Sequence, residues 1–244
     1  RWRFVEIGLQ KVWAWLLPIW PPTKMKSDQR ATLYGFPGSC SLVIMIALEE
    51  VMWSFDAVIQ NLIGDEHFKQ PYPAINPEGR VPALAVDGNI LTEIPAILLY
   101  IAESEPKAGL LPPLTDPMKR AQVMSRVSWL ASSTLAACNQ LAQPDNTCVD
   151  ITSHPWVKKS ALQSIKLDLM FVESEISDEG YWFGDFTIAD IFVFFIHDFA
   201  GRCGVDLSAM PRLCNLAMRI GTRPAVIRSV DWTIWASQTL ALTK

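Results

Sequence analysis

Three short stretches of this chain carry residues whose types and neighbours could do chemistry: Cys40, the Val81-Pro82 pair and the Glu93-Ile94 pair. Cys40 follows a Pro37-Gly38 turn and opens an apolar helical pattern, SCSLVIMIALEEV. The first backbone N–H groups of a helix lack intrahelical acceptors, and the helix dipole adds positive potential there, so a thiolate gains relative to a thiol. An inert cysteine packed beneath a sheet is the other reading of this position. Pro82, in GRVPAL, precedes a strand directly after a glycine turn. A cis bond there would turn the Val81 N–H and C=O away from the ladder, where an extended peptide-like ligand could pair with them as an added strand. An ordinary trans proline at a strand start also fits. Glu93 and Ile94 open a helix, so a carboxylate sits beside free N–H groups. Together they could hold the ammonium and carboxylate of an α-amino acid, or serve only as a structural cap.

These residues need elements to position them, and the pattern supplies a compact set. ATLYGF reads as a strand, Ser39 can cap the helix that follows Pro37-Gly38, and Trp53 to Ile59 alternates as a second strand. The segment GDEHFKQPYPAINPEGR is polar and turn-rich. VPALAV, an Asp87-Gly88-Asn89 turn and ILTE make a hairpin, and IPAILLYIAESE a helix with Pro95 in its first turn. That order predicts an α/β unit over residues 31–105, with a proline-rich connection at 106–117. Residues 118–244 read as helical: one long helix from Met118 to Leu141, others at Pro155–Ile176, Ile188–Ala200 and Pro211–Thr222, and a shorter one from Ala225. Thr187 and Asp190, three apart, suggest a capping box with Phe186 and Ile191 as its hydrophobic staple.

Composition excludes several classes. Half of the 244 residues are hydrophobic and 19 % are charged, which rules out a disordered chain. Net charge is −4 with no Lys/Arg run, so nucleic acid is not an expected partner. The five cysteines are scattered and form no ligand cluster with the three histidines, so no metal is expected; they suit reduced thiols in the cytoplasm. His197 reads as a core histidine. Residues 1–30 stand apart: Trp2, Trp13, Trp15 and Trp20 crowd a segment too short in apolar run to span a bilayer. A helix on the body or on a partner chain, an interfacial membrane anchor that would make the protein peripheral to a membrane, and a targeting or appended segment are all open.

LYGFPGSCS, NPEGRVPAL, LTEIPAILLYIAE, FTIADIFVF and TRPAV, in this order across about Ala31 to Trp232, resemble the glutathione transferases. LYGFPGSCS looks most like the bacterial beta class, whose active-site cysteine falls on Cys40. The resemblance implies a thioredoxin-like α/β domain followed by an all-α domain, glutathione as co-substrate, and a homodimer. It implies catalytic roles at Cys40 and Ser41, and glutathione contacts at Arg80, Val81, Pro82, Glu93 and Ile94. Phe36, Ser128, Trp129 and Ser132 would then wall a hydrophobic co-substrate site. The chain also departs from the family pattern. Gly35 and Phe36 precede the Pro-Gly turn where a tyrosine is usual, so Tyr34 should face elsewhere. Ile94 replaces a serine, Leu135 a histidine, and Asp65 or Glu66 a lysine, each removing a polar contact to glutathione. The implied function is glutathione-dependent thiolate attack on a hydrophobic electrophile, by conjugation, thiolysis or thiol–disulfide reduction. The competing function is a non-catalytic, transferase-fold binding or scaffold protein, membrane-associated through the extension.

Overall fold

A computed structural model of the chain describes residues 30–242; Trp2, Trp13, Trp15 and Trp20, and the membrane contact expected of them, lie outside the described residues. The N-terminal unit runs β1 (Arg30–Gly35), α1 (Ser41–Glu50), β2 (Ser54–Ile59), α2 (Tyr72–Ile75), β3 (Ala83–Val86), β4 (Asn89–Leu91) and α3 (Ile94–Ser104). The sheet order is β2-β1-β3-β4, with β2 parallel to β1 through the α1 crossover and β3 and β4 antiparallel. This is a thioredoxin-like arrangement. The β3–β4 hairpin turns on Asp87 (φ 49°) and Gly88 (φ 80°), two successive left-handed residues whose twist matches that of the strands. The turn-rich segment before it is more structured than its composition suggests. It contains a 3-10 turn at Ile63–Phe68 and the short α2.

The remainder is helical: α4 (Pro117–Trp129), α5 (Leu135–Ala142), α6 (His154–Glu175), α7 (Ile188–Arg202), α8 (Pro211–Gly221) and α9 (Pro224–Leu242). Two expectations are corrected. The single helix from Met118 to Leu141 is interrupted by a π turn, Leu130–Thr134, within which the buried Thr134 hydroxyl donates to Asp168 at 2.8 Å. A π turn inserts one residue without ending the helix, so apolar periodicity runs through it almost unbroken. The last helix is not short but 19 residues long. Its hydroxyls bond back to carbonyls one turn earlier: Ser229 to Ala225, Thr233 to Ser229 and Ser237 to Thr233. Its buried residues, Ala225, Val226, Ser229, Trp232, Ala236 and Leu240, recur at helical spacing on one face.

Helix α1 has no polar face at all, since Ser41 to Glu49 are all buried. The sheet covers one side and α9, α7 and α3 cover the rest. Two ion pairs tie its C-terminal end to α9 and the residue just before it: Arg228 reaches the buried Glu49 at 2.5 Å, and Arg223 grips Glu50 with two bonds of 2.6 and 2.8 Å. The Arg223 guanidinium also lies 3.7 Å over the Phe186 ring, so Phe186 helps anchor this clasp.

The capping box forms as expected. Thr187 Oγ1 accepts from Ala189 N, and the fully buried Asp190 accepts from Thr187 N at 2.8 Å and Trp182 N at 2.9 Å. Burial pushes the Asp190 carboxyl up from 3.8 to about 6, although four hydrogen-bond donors pull it back down. The folded state therefore holds this proton more tightly than the unfolded chain. The group's contribution to stability is complete below about pH 4 and is lost as pH rises through 6. Asp190→Ala leaves two buried N–H groups without acceptors and should lower unfolding free energy in urea by about 3 kcal/mol at neutral pH.

Candidate active site

The turn that presents Cys40 is closed by its own serines. Ser39 N and Oγ both donate to the Phe36 carbonyl, at 3.2 and 2.6 Å. Ser41 N donates to Ser39 Oγ, the two hydroxyls meet at 2.9 Å, and Ser41 Oγ accepts from Phe36 N at 3.3 Å. Ser41 is fully buried and its hydroxyl is spent inside this turn, so it supports the site as framework. Gly35 is required beside it, because a Cβ there would lie 2.8 Å from Ser41 Cβ. Gly38, at φ 77°, offers its carbonyl to Arg202 at 3.1 Å, and Arg202 is itself held by Asp198 at 2.8 Å. A residue from the end of α7 thus steadies the turn two positions before Cys40. No local pattern in the sequence marks Arg202 for this role, because the contact spans 164 positions.

Cys40 is the N-cap of α1 and is half-buried. Its Sγ–H points at the Val81 carbonyl, 3.6 Å away, and the Val81-Pro82 bond is cis. The stabilisation that the helix start offers a thiolate is opposed here by burial and by a neighbouring charge. Burial pushes the Cys40 thiol up to about 12, the helix-start N–H recovers part of this, and the Glu93 charge raises it further. Desolvation of an anion at this position works against the dipole's gain.

Around it stand the other residues named from sequence. Glu93 is exposed, caps nothing, and adopts φ 66°, ψ 119°, a conformation a non-glycine residue holds only at a cost of about 1–3 kcal/mol. Ile94 is 5 % exposed, so its side chain serves the core and only its backbone N–H is on offer at the start of α3. The Arg80 side chain is exposed, but its carbonyl is caught by Tyr72 Oη at 2.5 Å and Asn76 Nδ2 at 2.9 Å. Tyr72 and Asn76 therefore position the Arg80-Val81-Pro82 strand entry. Sequence reading passed over both inside the turn-rich segment, although Asn76 belongs to the NPEGRVPAL motif. Tyr34 faces elsewhere, as expected: its ring packs on Tyr72, 6.0 Å between centroids.

The co-substrate candidates separate. Phe36 lines an open groove of about 270 Å³ with Pro37, Ile63, Ser237, Leu240 and Ala241, between the Cys40 turn and α9. Ser128 and Ser132 are exposed. Trp129 turns edge-on against Phe171 of α6 at 5.5 Å, so its position is accounted for by the packing of α4 on α6. Leu135 is buried in the core and Asp65 is exposed at φ 59°. Among the described residues no group of three His, Cys, Asp or Glu side chains could hold a metal ion, and no helix is long and apolar enough to cross a membrane.

Comparison with known proteins agrees with this geometry. The model of the glutathione S-transferase N-terminal domain matches residues 29–103. Glutathione S-transferase GstA of Escherichia coli O157:H7 is 30 % identical over 202 residues, covering 80 % of this chain and 94 % of the relative. Maleylacetoacetate isomerase of Pseudomonas aeruginosa is 32 % identical over 206 residues, covering 80 % and 91 %. Among solved structures, a Sulfitobacter glutathione transferase homologue with bound glutathione superposes with a TM-score of 0.77 at 34 % identity, covering 83 % of this chain and 97 % of that one. The beta-class glutathione S-transferase of Sphingomonas chungbukensis gives a TM-score of 0.72 at 34 % identity, covering 83 % and 98 %. The fold and these matches together define a glutathione-dependent enzyme with a thioredoxin-like domain and a helical one. The chain belongs to the glutathione S-transferase family, with bacterial beta-class members among its relatives.

Asn76 is fully buried, and its amide both donates to Arg80 O and accepts from Glu78 N at 3.0 Å. Asn76→Ala should cost about 2 kcal/mol in urea unfolding, and Tyr72→Phe about 1 kcal/mol, because the first removes two hydrogen bonds and leaves Glu78 N without its acceptor, whereas the second removes one of two donors to Arg80 O.

Proposed function

We propose that this protein binds glutathione in the cleft between Val81 and the start of α3, and uses thiolate chemistry at Cys40 on a hydrophobic electrophile. The observation that carries this reading is the juxtaposition of Cys40 Sγ and the Val81 carbonyl, 3.6 Å apart, beside the exposed Glu93. In this reading the cysteinyl part of glutathione pairs with the Val81 backbone as an added strand, which sets its sulfur against Cys40. The γ-glutamyl end then meets Glu93 through its ammonium and the Ile94 N–H through its carboxylate. Arg80, exposed at the strand entry, is available to the glycyl end, and Pro82 shapes the approach. The groove beside Phe36 is suited to an apolar group on the second substrate.

Three reactions are compatible with this site: conjugation, thiolysis and reduction of a glutathionyl disulfide. A cysteine at the sulfur position favours the last, since Cys40 can form the mixed disulfide that exchange requires. A second reading is favoured by the relatives named maleylacetoacetate isomerase. In that case the thiolate of glutathione adds to an activated double bond and is expelled after rotation, and the thiol is regenerated. We further propose that the protein works in a reducing cytoplasmic compartment, where its five free cysteines persist, and that it pairs as a homodimer. Exposed Met118, Leu167, Met170 and Phe171 give α4 and α6 apolar surface for a second copy, which sedimentation velocity would detect.

Calorimetric titration with glutathione, followed by turnover of an aryl halide, a mixed glutathione disulfide and maleylacetoacetate, tests the proposal. Glu93→Gln should raise the Kd for glutathione about tenfold, the loss expected for one charge-assisted bond. Cys40→Ala should abolish disulfide reduction while leaving glutathione binding within about threefold, far less than the effect expected at Glu93. Disulfide turnover surviving Cys40→Ala would remove Cys40 from the chemistry, and binding without turnover of any substrate would favour the scaffold function.

A further inference from the structure

The turn before Cys40 is mounted on the helical half at two points. Phe36 to Ser39 form a turn with Pro37 second and Gly38 third, at φ 77°, closed by Ser39 N on the Phe36 carbonyl at 3.2 Å. Where the turn leaves β1, the ring edge of Trp232 in α9 lies 3.8 Å from where a Gly35 Cβ would stand. At the other end, Arg202 of α7 donates from a terminal guanidinium nitrogen to the Gly38 carbonyl at 3.1 Å. The peptide joining Gly38 to Ser39 is therefore held on both sides, its carbonyl by α7 and its N–H by Phe36. Glycine leaves this peptide freer to rotate than any other residue would, and Cys40 is the next residue but one.

Arg202 is prepared for this bond. Its Nε donates to Asp198 at 2.8 Å, one helical turn back, and its guanidinium lies 5.2 Å from the centre of the Phe199 ring. The side chain is ordered in advance, which lowers the entropy lost when it reaches across to Gly38. Both partners of the Arg202–Asp198 pair are 45 % exposed, where an ion pair adds little to stability. We propose that Arg202, oriented by Asp198, is a positioning residue for the reaction at Cys40: it fixes the Gly38–Ser39 peptide, and through it the placement of Cys40 Sγ beside Val81. This rests on the reaction given under Proposed function. Arg202 touches no reacting atom in this role. Its contribution is alignment, and a misplacement of about 1 Å at a reacting group can cost on the order of 100-fold in rate. The task needs two N–H groups that diverge from one rigid plane, which lysine cannot supply.

The full chain and its Arg202→Lys, Arg202→Gln, Asp198→Asn and Arg202→Gln/Asp198→Asn variants are compared in reduction of a mixed glutathione disulfide, in glutathione affinity by calorimetry, and in urea unfolding. Arg202→Gln should lower kcat about tenfold and Arg202→Lys nearly as far, with KM for the disulfide and Kd for glutathione within about twofold and the urea midpoint unmoved. Asp198→Asn should lose about threefold in kcat, and nothing more once Arg202 is already glutamine, because both act through one contact. Full activity in Arg202→Lys would mean that charge alone matters, and overturns the proposal. A rise in KM or Kd in place of the fall in kcat makes Arg202 a ligand contact and overturns it as well, as does an unchanged kcat in Arg202→Gln. Each of these leaves the wild-type reaction standing. A wild-type protein that reduces no disulfide overturns the reaction and the positioning role together.

Discussion

Everything in this protein is arranged around the complete burial of α1. A helix with no polar face cannot sit at a surface, so it needs the sheet on one side and helices from the C-terminal half on the other. Glu49, its one charged residue inside that envelope, is met by Arg228, and Glu50 at its end is met by Arg223. Separating the two halves would expose the apolar faces of α1 and α9 together and strip two arginines from their carboxylates. The consequence for function is positional. The start of α1 is where Cys40 stands, and a helix fixed along its whole length fixes the place of that thiol.

The same burial sets the chemical difficulty of the site. A helix start favours an anion by up to about 2 kcal/mol at best, whereas removing a thiolate from water costs more. At Cys40 burial and the Glu93 charge oppose that gain. What surrounds it is built to hold backbone in place: the Ser39–Ser41 pair closes the turn, Arg202 steadies Gly38, and Tyr72 and Asn76 pin the Arg80 carbonyl. Glu93 adopts a left-handed conformation between β4 and the buried Ile94. Such a residue keeps its carboxylate outside α3, free of capping duty, and beside the cleft.

The departures from the family pattern can now be placed physically. Ile94 sacrifices a hydroxyl but adds an apolar side chain to the core, and the helix-start N–H it carries is unaffected. Leu135 likewise belongs to the core of the helical half. These substitutions exchange polar contacts for packing, which favours the fold more than it favours ligand affinity.

Much of this was legible in the sequence. Local signals are carried by neighbouring residues, so the Asp87-Gly88 hairpin, the Thr187–Asp190 cap, the strand-turn-helix around Cys40 and the helical C-terminal half could all be read directly. So could Cys40, Val81 and Glu93 as residues of interest, because each sits beside a turn or a helix start. What required the tertiary structure were quantities set by distant partners. The surroundings of the Cys40 thiol include burial by the folded chain and a carboxylate 53 positions away, and no local rule contains either. Arg202, Tyr72 and Asn76 acquire their roles only when the fold brings their donors to Gly38 and Arg80. The full length of α9, with its hydroxyls bonding back along the helix, and the contact of Trp129 with Phe171 likewise emerge only in the folded chain. Sequence determines which elements form and where reactive groups sit along them; burial and long-range contact decide what state those groups are in.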